Sequence, residues 1–183
     1  MGETQRYAIP YSGLKTGCHE FRFEVDGSLF EEYQSTEIKD GRCEVRVDAD
    51  RTENRIVLDV TITGYVVVEC DRCLEDCRVP IDFEGQLVVK FSEEVHEYDG
   101  EVMWMLPGED RVDLTQYIYE SICLSLPYQR VHPDDSEGRS TCDPDMLSRF
   151  RIVSEEEFDR LCPGTETDGS SPWKKLKEIK PSK

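Results

Sequence analysis

The chain has 183 residues, with 40 acidic side chains against 22 basic ones and a formal charge of −18. Hydrophobic residues make up 37% of it, enough for one core with polar segments attached, and no apolar run approaches the roughly 18–20 residues of a membrane-spanning helix. Phosphate backbones repel such a surface and no basic-then-apolar leader opens the chain, which excludes non-specific coating of nucleic acid and makes a cytoplasmic location the expectation.

In chain order, residues 5–9 and 21–25 are expected to be extended, with Asp26-Gly27 ending the second stretch. Residues 28–34 read as a short helix capped by Ser28, with Glu31 three positions on. Asp40-Gly41 is a turn signal, and Cys43, Val45 and Val47 then alternate with charged neighbours. Ile56, Leu58, Val60 and Ile62 alternate with polar residues, and Gly64 reads as a bulge that shifts the register. Val79, Ile81, Phe83, Leu87, Val89 and Phe91 keep the same period of two. One apolar and one wet face are what an antiparallel sheet demands. Residues 92–101 form an acidic loop, and residues 102–106 a further strand. Asp113 is expected to cap a helix with Gln116 at its third position, its stripe being Leu114, Tyr117, Ile118 and Ile122, stopped by Pro127. Beyond it the composition turns polar, with a short helix expected over 143–151, and from Lys174 onward five lysines face one glutamate.

Eight cysteines without a secretory signal are expected to be reduced thiols, some of them holding a metal. Cys70-Asp71-Arg72-Cys73-Leu74 closes a long hairpin and offers half of a tetrahedral zinc site. Cys142, His132, Cys162 and Cys77 are the further ligands the chain holds, and no second Cys-x-x-Cys occurs. Three readings stay open: a zinc site, thiols packed at the hairpin base, and a redox pair. Cys18, Cys43 and Cys123 are expected in the core. His132 and Cys142 are separated by a flexible acidic loop, a poor setting for a nucleophile, since nearby negative charge raises a thiol's pKa. No Walker loop, dinucleotide-binding glycine turn or His-Glu-x-x-His motif is present, so no enzyme is expected. Trp173, Lys174, Lys175 and Lys177 read either as a terminal helix docked through its apolar residues or as an arm whose lysines meet phosphates while the indole stacks on a base.

The ordered series Cys70-Asp-Arg-Cys-Leu74, Asp113-Leu-Thr-Gln-Tyr-Ile-Tyr-Glu120, Leu124-Ser-Leu-Pro127, Val131-His-Pro-Asp134, Cys142-Asp-Pro144 and Pro172-Trp-Lys-Lys-Leu-Lys177 resembles the YceD-type large ribosomal RNA subunit accumulation proteins. The acidic, extended version resembles a Bacteroidetes-like branch. The resemblance implies a cytoplasmic, non-enzymatic factor needed for 23S ribosomal RNA accumulation and large-subunit biogenesis. It also implies a second cysteine pair after the Leu-Pro segment, of which this chain keeps only Cys142.

The reading that results is an α+β fold, an antiparallel, strongly twisted sheet of about five or six strands tending toward a barrel, with one covering helix and an irregular acidic C-terminal region. Its expected domains are residues 1–127 (β-rich with a helix), 128–171 (acidic, partly mobile) and 172–183 (basic tail). Zinc is the one candidate cofactor, on Cys70, Cys73 and Cys142. The expected partners are a basic ribosomal protein or assembly factor, and ribosomal RNA through Trp173, Lys174, Lys175 and Lys177, with no membrane and no small-molecule substrate. The alternatives are a zinc-ribbon-like interaction module unrelated to ribosomes and a thiol oxidoreductase using Cys70 and Cys73.

Overall fold

The computed structural model describes residues 6–149 except positions 12, 93, 95–97 and 107, together with positions 154, 157, 160 and 161. Two compact units meet in sequence at Asp143 and Pro144. The first holds β1 (Ala8–Pro10), β2 (Gly17–Val25), α1 (Gly27–Glu32), β3 (Ile38–Arg51), β4 (Arg55–Glu69), β5 (Asp76–Phe91), β6 (Val102–Met105), β7 (Arg111–Asp113) and α2 (Thr115–Leu124). In the second, the described helix is α3 (Pro144–Arg149), none of whose residues is buried.

Strands β2 to β6 form one sheet in sequence order, and β1 pairs with β7 in a separate two-stranded ribbon. The pairs from β2 to β5 are antiparallel, whereas β6 runs parallel to β5, with Val88 opposite Val102 and Phe91 opposite Met105. The sheet is therefore mixed, and it is open, with β2 and β6 at its edges. A hairpin connection would have made β6 antiparallel. Instead the chain re-enters the sheet at Val102 beside Val88 and runs in the same direction as the last residues of β5.

Alternation decides which face is dry. Ile56, Leu58, Val60, Ile62, Val66 and Val68 of β4 are buried, as are Val79, Ile81, Leu87 and Val89 of β5. Helices α1 and α2 cover this face, α1 against β3 and α2 against β5. Tyr117 of α2 meets Phe83 edge-on, with ring centroids 6.3 Å apart. Among the described residues, no helix is long and apolar enough to cross a membrane.

Several local expectations need correction. Gly64 makes no bulge: it stays in register between Cys43 and Ile81. Its φ is +154°, and an added Cβ would lie 2.6 Å from the Cys43 Cα, so close backbone approach requires the glycine. Asp40-Gly41 is no turn either. It lies inside β3, where a Cβ on Gly41 would sit 2.9 Å from the Phe30 ring, so the missing side chain admits α1 onto the sheet. The α1 cap is Asp26 rather than Ser28, its carboxylate accepting from the Ser28 N–H at 3.1 Å. The α2 cap position is Leu114 rather than Asp113, whose carboxylate still accepts from the Thr115 N–H at 2.9 Å, while Gln116 reaches forward to Glu120 instead of back to the cap. Cys18 is exposed, because in β2 the odd-numbered residues face the core. Cys43 is buried as expected, and burial pushes its thiol up to about 11.

Candidate metal centre

Two turns face each other to make the site. The first is the loop of residues 70–75 between β4 and β5. Here the Leu74 N–H donates to the Cys70 carbonyl and the Cys70 N–H to the Glu75 carbonyl, both at 2.9 Å. That tight closure places Leu74 in the left-handed region, with φ of 64°. It also turns both cysteine side chains to the same side, where Cys70 and Cys73 are buried.

The second turn is made by residues 132–142. The acidic run expected to be flexible is closed: Asp134 and Ser140 form a β-bridge, and the Asp135 N–H donates to the Arg139 carbonyl at 2.8 Å. The Asp135 carboxylate accepts from the Glu137 and Arg139 N–H groups at 2.9 and 2.8 Å, and Gly138 takes φ of +76°. These backbone bonds, that of Arg139 first, hold its carboxyl below the usual range. Thr141 donates to the Pro133 carbonyl at 2.7 Å. The ends of the turn, His132 and Cys142, are thereby brought to 3.7 Å from Nδ1 to Sγ.

The second turn is fastened to the first by its backbone. The Asp71 N–H donates to the Arg130 carbonyl and the Arg130 N–H to the Asp71 carboxylate, both at 2.7 Å. The His132 Nε2 lies 3.2 Å from the Asp76 carbonyl oxygen. A carbonyl only accepts, so Nε2 carries the proton and Nδ1 presents its lone pair to the thiols. This is how a second contact selects the tautomer of a ligating histidine.

The four ligand atoms of Cys70, Cys73, His132 and Cys142 all lie within 4.8 Å of one another. Cys70 Sγ is 3.8 Å from Cys142 Sγ, and Cys73 Sγ is 3.5 Å from His132 Nδ1. Tetrahedral zinc, with Zn–S about 2.3 Å and Zn–N about 2.0–2.1 Å, spaces its ligands about 3.8 Å (S to S) and about 3.6 Å (S to N) apart. The donor set fits a metal of that size and softness, and four side chains fill its coordination.

The electrostatics favour a thiolate at one position. Burial works to raise the Cys70 thiol, but N–H groups of Cys73, Arg72 and His132 and the His132 ring outweigh it and bring it to about 6. Cys73 is pushed up, by burial first and then by the neighbouring sulfurs of Cys70 and Cys142, against the Asp143 and Glu75 N–H groups that favour its thiolate. Burial alone would lower His132, yet its bonds to Cys70 and Cys142 raise it.

The structure thus brings together Cys70, Cys73 and Cys142, and adds His132. Cys77 is buried nearby but outside the cluster, its thiol raised by burial and by the cluster sulfurs. Cys162, Trp173, Lys174, Lys175 and Lys177 lie outside the described residues. His132 was the member hardest to see, its one signal being its place in Val131-His132-Pro133, ten residues before Cys142.

Comparison with known proteins agrees with the motif series. The uncharacterized protein YlbN of Bacillus subtilis (strain 168) is 24% identical over 115 residues, which cover 62% of this chain and 63% of that protein. The chain thus spans less than two thirds of the length of this relative. No solved structure matches. A family model described as "Large ribosomal RNA subunit accumulation protein YceD" matches residues 58–180, from near the start of β4 through both halves of the cysteine–histidine cluster, and the chain belongs to that YceD family.

Proposed function

We propose that this protein is a non-enzymatic factor that supports 23S ribosomal RNA accumulation and large-subunit assembly by binding, and that Cys70, Cys73, His132 and Cys142 hold a structural zinc ion. The observation that carries the reading is the closed cluster. Four protein ligands at tetrahedral spacing leave no position for substrate or water, which suits a structural rather than a catalytic metal. Zinc supplies a cross-link there, clipping residues 128–143 onto the β4–β5 loop. The family description supports the ribosomal setting. With a charge of −18, the protein is suited to basic partners such as ribosomal proteins, whose association would be salt-sensitive. The lysines from Lys174 onward offer a local contact to RNA.

The deciding experiment is depletion followed by the ratio of 23S to 16S ribosomal RNA and sucrose-gradient profiles. A selective fall in 23S and in large subunits is expected, and an unchanged ratio overturns the role. Thiol oxidoreduction is the second reading, favoured by the lowered Cys70 thiol. It predicts that a Cys70→Ser, Cys73→Ser variant stays folded and loses disulfide reductase activity, whereas a zinc clip predicts that the same variant loses stability. Burial of both sulfurs opposes attack on an external disulfide.

A further inference from the structure

Resting on the binding role above, we propose that the tip of the β4–β5 loop is the docking point for a basic polypeptide, with Leu74 as the apolar anchor that enters the partner. Leu74 holds φ of 64°, a conformation suited to glycine or asparagine, yet the residue is 57% exposed and little packing within this chain offsets the strain. It borders a hollow of about 190 Å³ shared with Thr36, Cys70 and Arg130.

The charge around this anchor defines the partner. Lys39 lies 3.4 Å from Glu69 and 2.7 Å from Asp76, and Arg130 lies 3.3 Å from Glu37 and 3.6 Å from Asp71. Each cation is shared by two carboxylates, so negative charge is left on both sides of the hollow. Glu75 adds to it and Arg72 offsets one charge. Zinc on three thiolates and one imidazole would contribute a further negative charge. An apolar anchor ringed by excess carboxylate fits a lysine- or arginine-rich protein segment with an apolar socket, and it repels phosphate.

The test uses the full chain with zinc and purified basic proteins of the large ribosomal subunit, presented singly, with a 23S ribosomal RNA fragment in parallel. Binding to at least one protein is expected at 50 mM salt, weakened tenfold or more at 400 mM, and weakened tenfold or more by Leu74→Gly. Glycine suits the backbone at this position, so the variant should keep its zinc and unfold no earlier than wild type. Loss of binding is then not loss of fold. Leu74→Asn provides a second such variant. Equal binding by wild type and Leu74→Gly overturns the proposal, as does binding of the RNA alone or of none of the proteins. In depleted cells, Leu74→Gly should fail to restore 23S levels that wild type restores. Equal restoration overturns the anchor and leaves the ribosomal role standing; absence of any 23S change on depletion removes the role itself.

Discussion

The Tyr7 hydroxyl is the one buried side-chain N/O atom among the described residues without a hydrogen-bond partner. The residue is 3% exposed and packs edge-on against Phe23, with centroids 6.2 Å apart. An orphan polar group costs its desolvation, so Tyr7→Phe should raise stability by about 1 kcal/mol. A urea unfolding curve checks this, and a lower midpoint would mean that the hydroxyl is bonded in solution. Residue-scale chemistry was legible where spacing encoded it: Cys70 and Cys73 mark themselves by two intervening residues at a hairpin end. His132 carries no such mark. Its role depends on the carbonyl of Asp76, 56 residues away in sequence, and on a turn closed by Asp135. Gly64 was legible as special but for the wrong cause, because a glycine in a strand reads alike whether it serves a bulge or a close backbone approach.

Helix α1 shows how an element is held at its end. Asp26 accepts from the Ser28 N–H and from Arg6 at 2.7 Å, and Asp26→Ala should cost about 1 kcal/mol at neutral pH. The Ser28 hydroxyl, and then Arg6, hold the Asp26 carboxyl below its ordinary value. A depressed acid stabilises the fold above its unfolded pKa and loses that contribution as pH falls through the folded value. The gap between wild type and Asp26→Ala should therefore be full at pH 7 and shrink below about pH 4. Denaturant midpoints at pH 7 and pH 3 measure it, and a gap that does not change removes the charge from the argument. Strands β4 and β5 were readable from alternation because one face is dry and the other wet. The Ser28 cap was misread because Asp26 and Ser28 are both good caps, and only the backbone decides which carbonyl starts the helix. The parallel seat of β6 was not readable. Pairing direction depends on how the chain re-enters the sheet at Val102, and alternation in a four-residue strand is silent about it.

At the scale of the molecule, the proposed metal clip and the sheet would be separable sources of stability. The sheet has its own apolar face, covered by α1 and α2, whereas the return of residues 128–143 to the loop of residues 70–75 is held by a few hydrogen bonds and the cluster. Chelating the metal should therefore release the second before the first. In hydrogen exchange, amides in residues 70–76 and 128–142 should lose protection while those of β3 to β5 keep theirs. Simultaneous loss throughout would mean that the centre is integral to the core. Long-range closure of this kind is what a sequence hides best: composition changes after Pro127, yet the chain beyond it supplies half of the cluster.

The distance along the chain between Cys70 and Cys142 also sets a clock. They are 72 residues apart. At synthesis rates of about 5–20 residues per second, the first two cysteines precede their last partner by about 4–14 s. Through that interval the nascent protein carries a bare dithiol, open to any metal or oxidant it meets. In the proposed centre, arrival of Cys142 would end this exposure at the close of the first unit, so a finished centre would certify that the unit has been translated to its end.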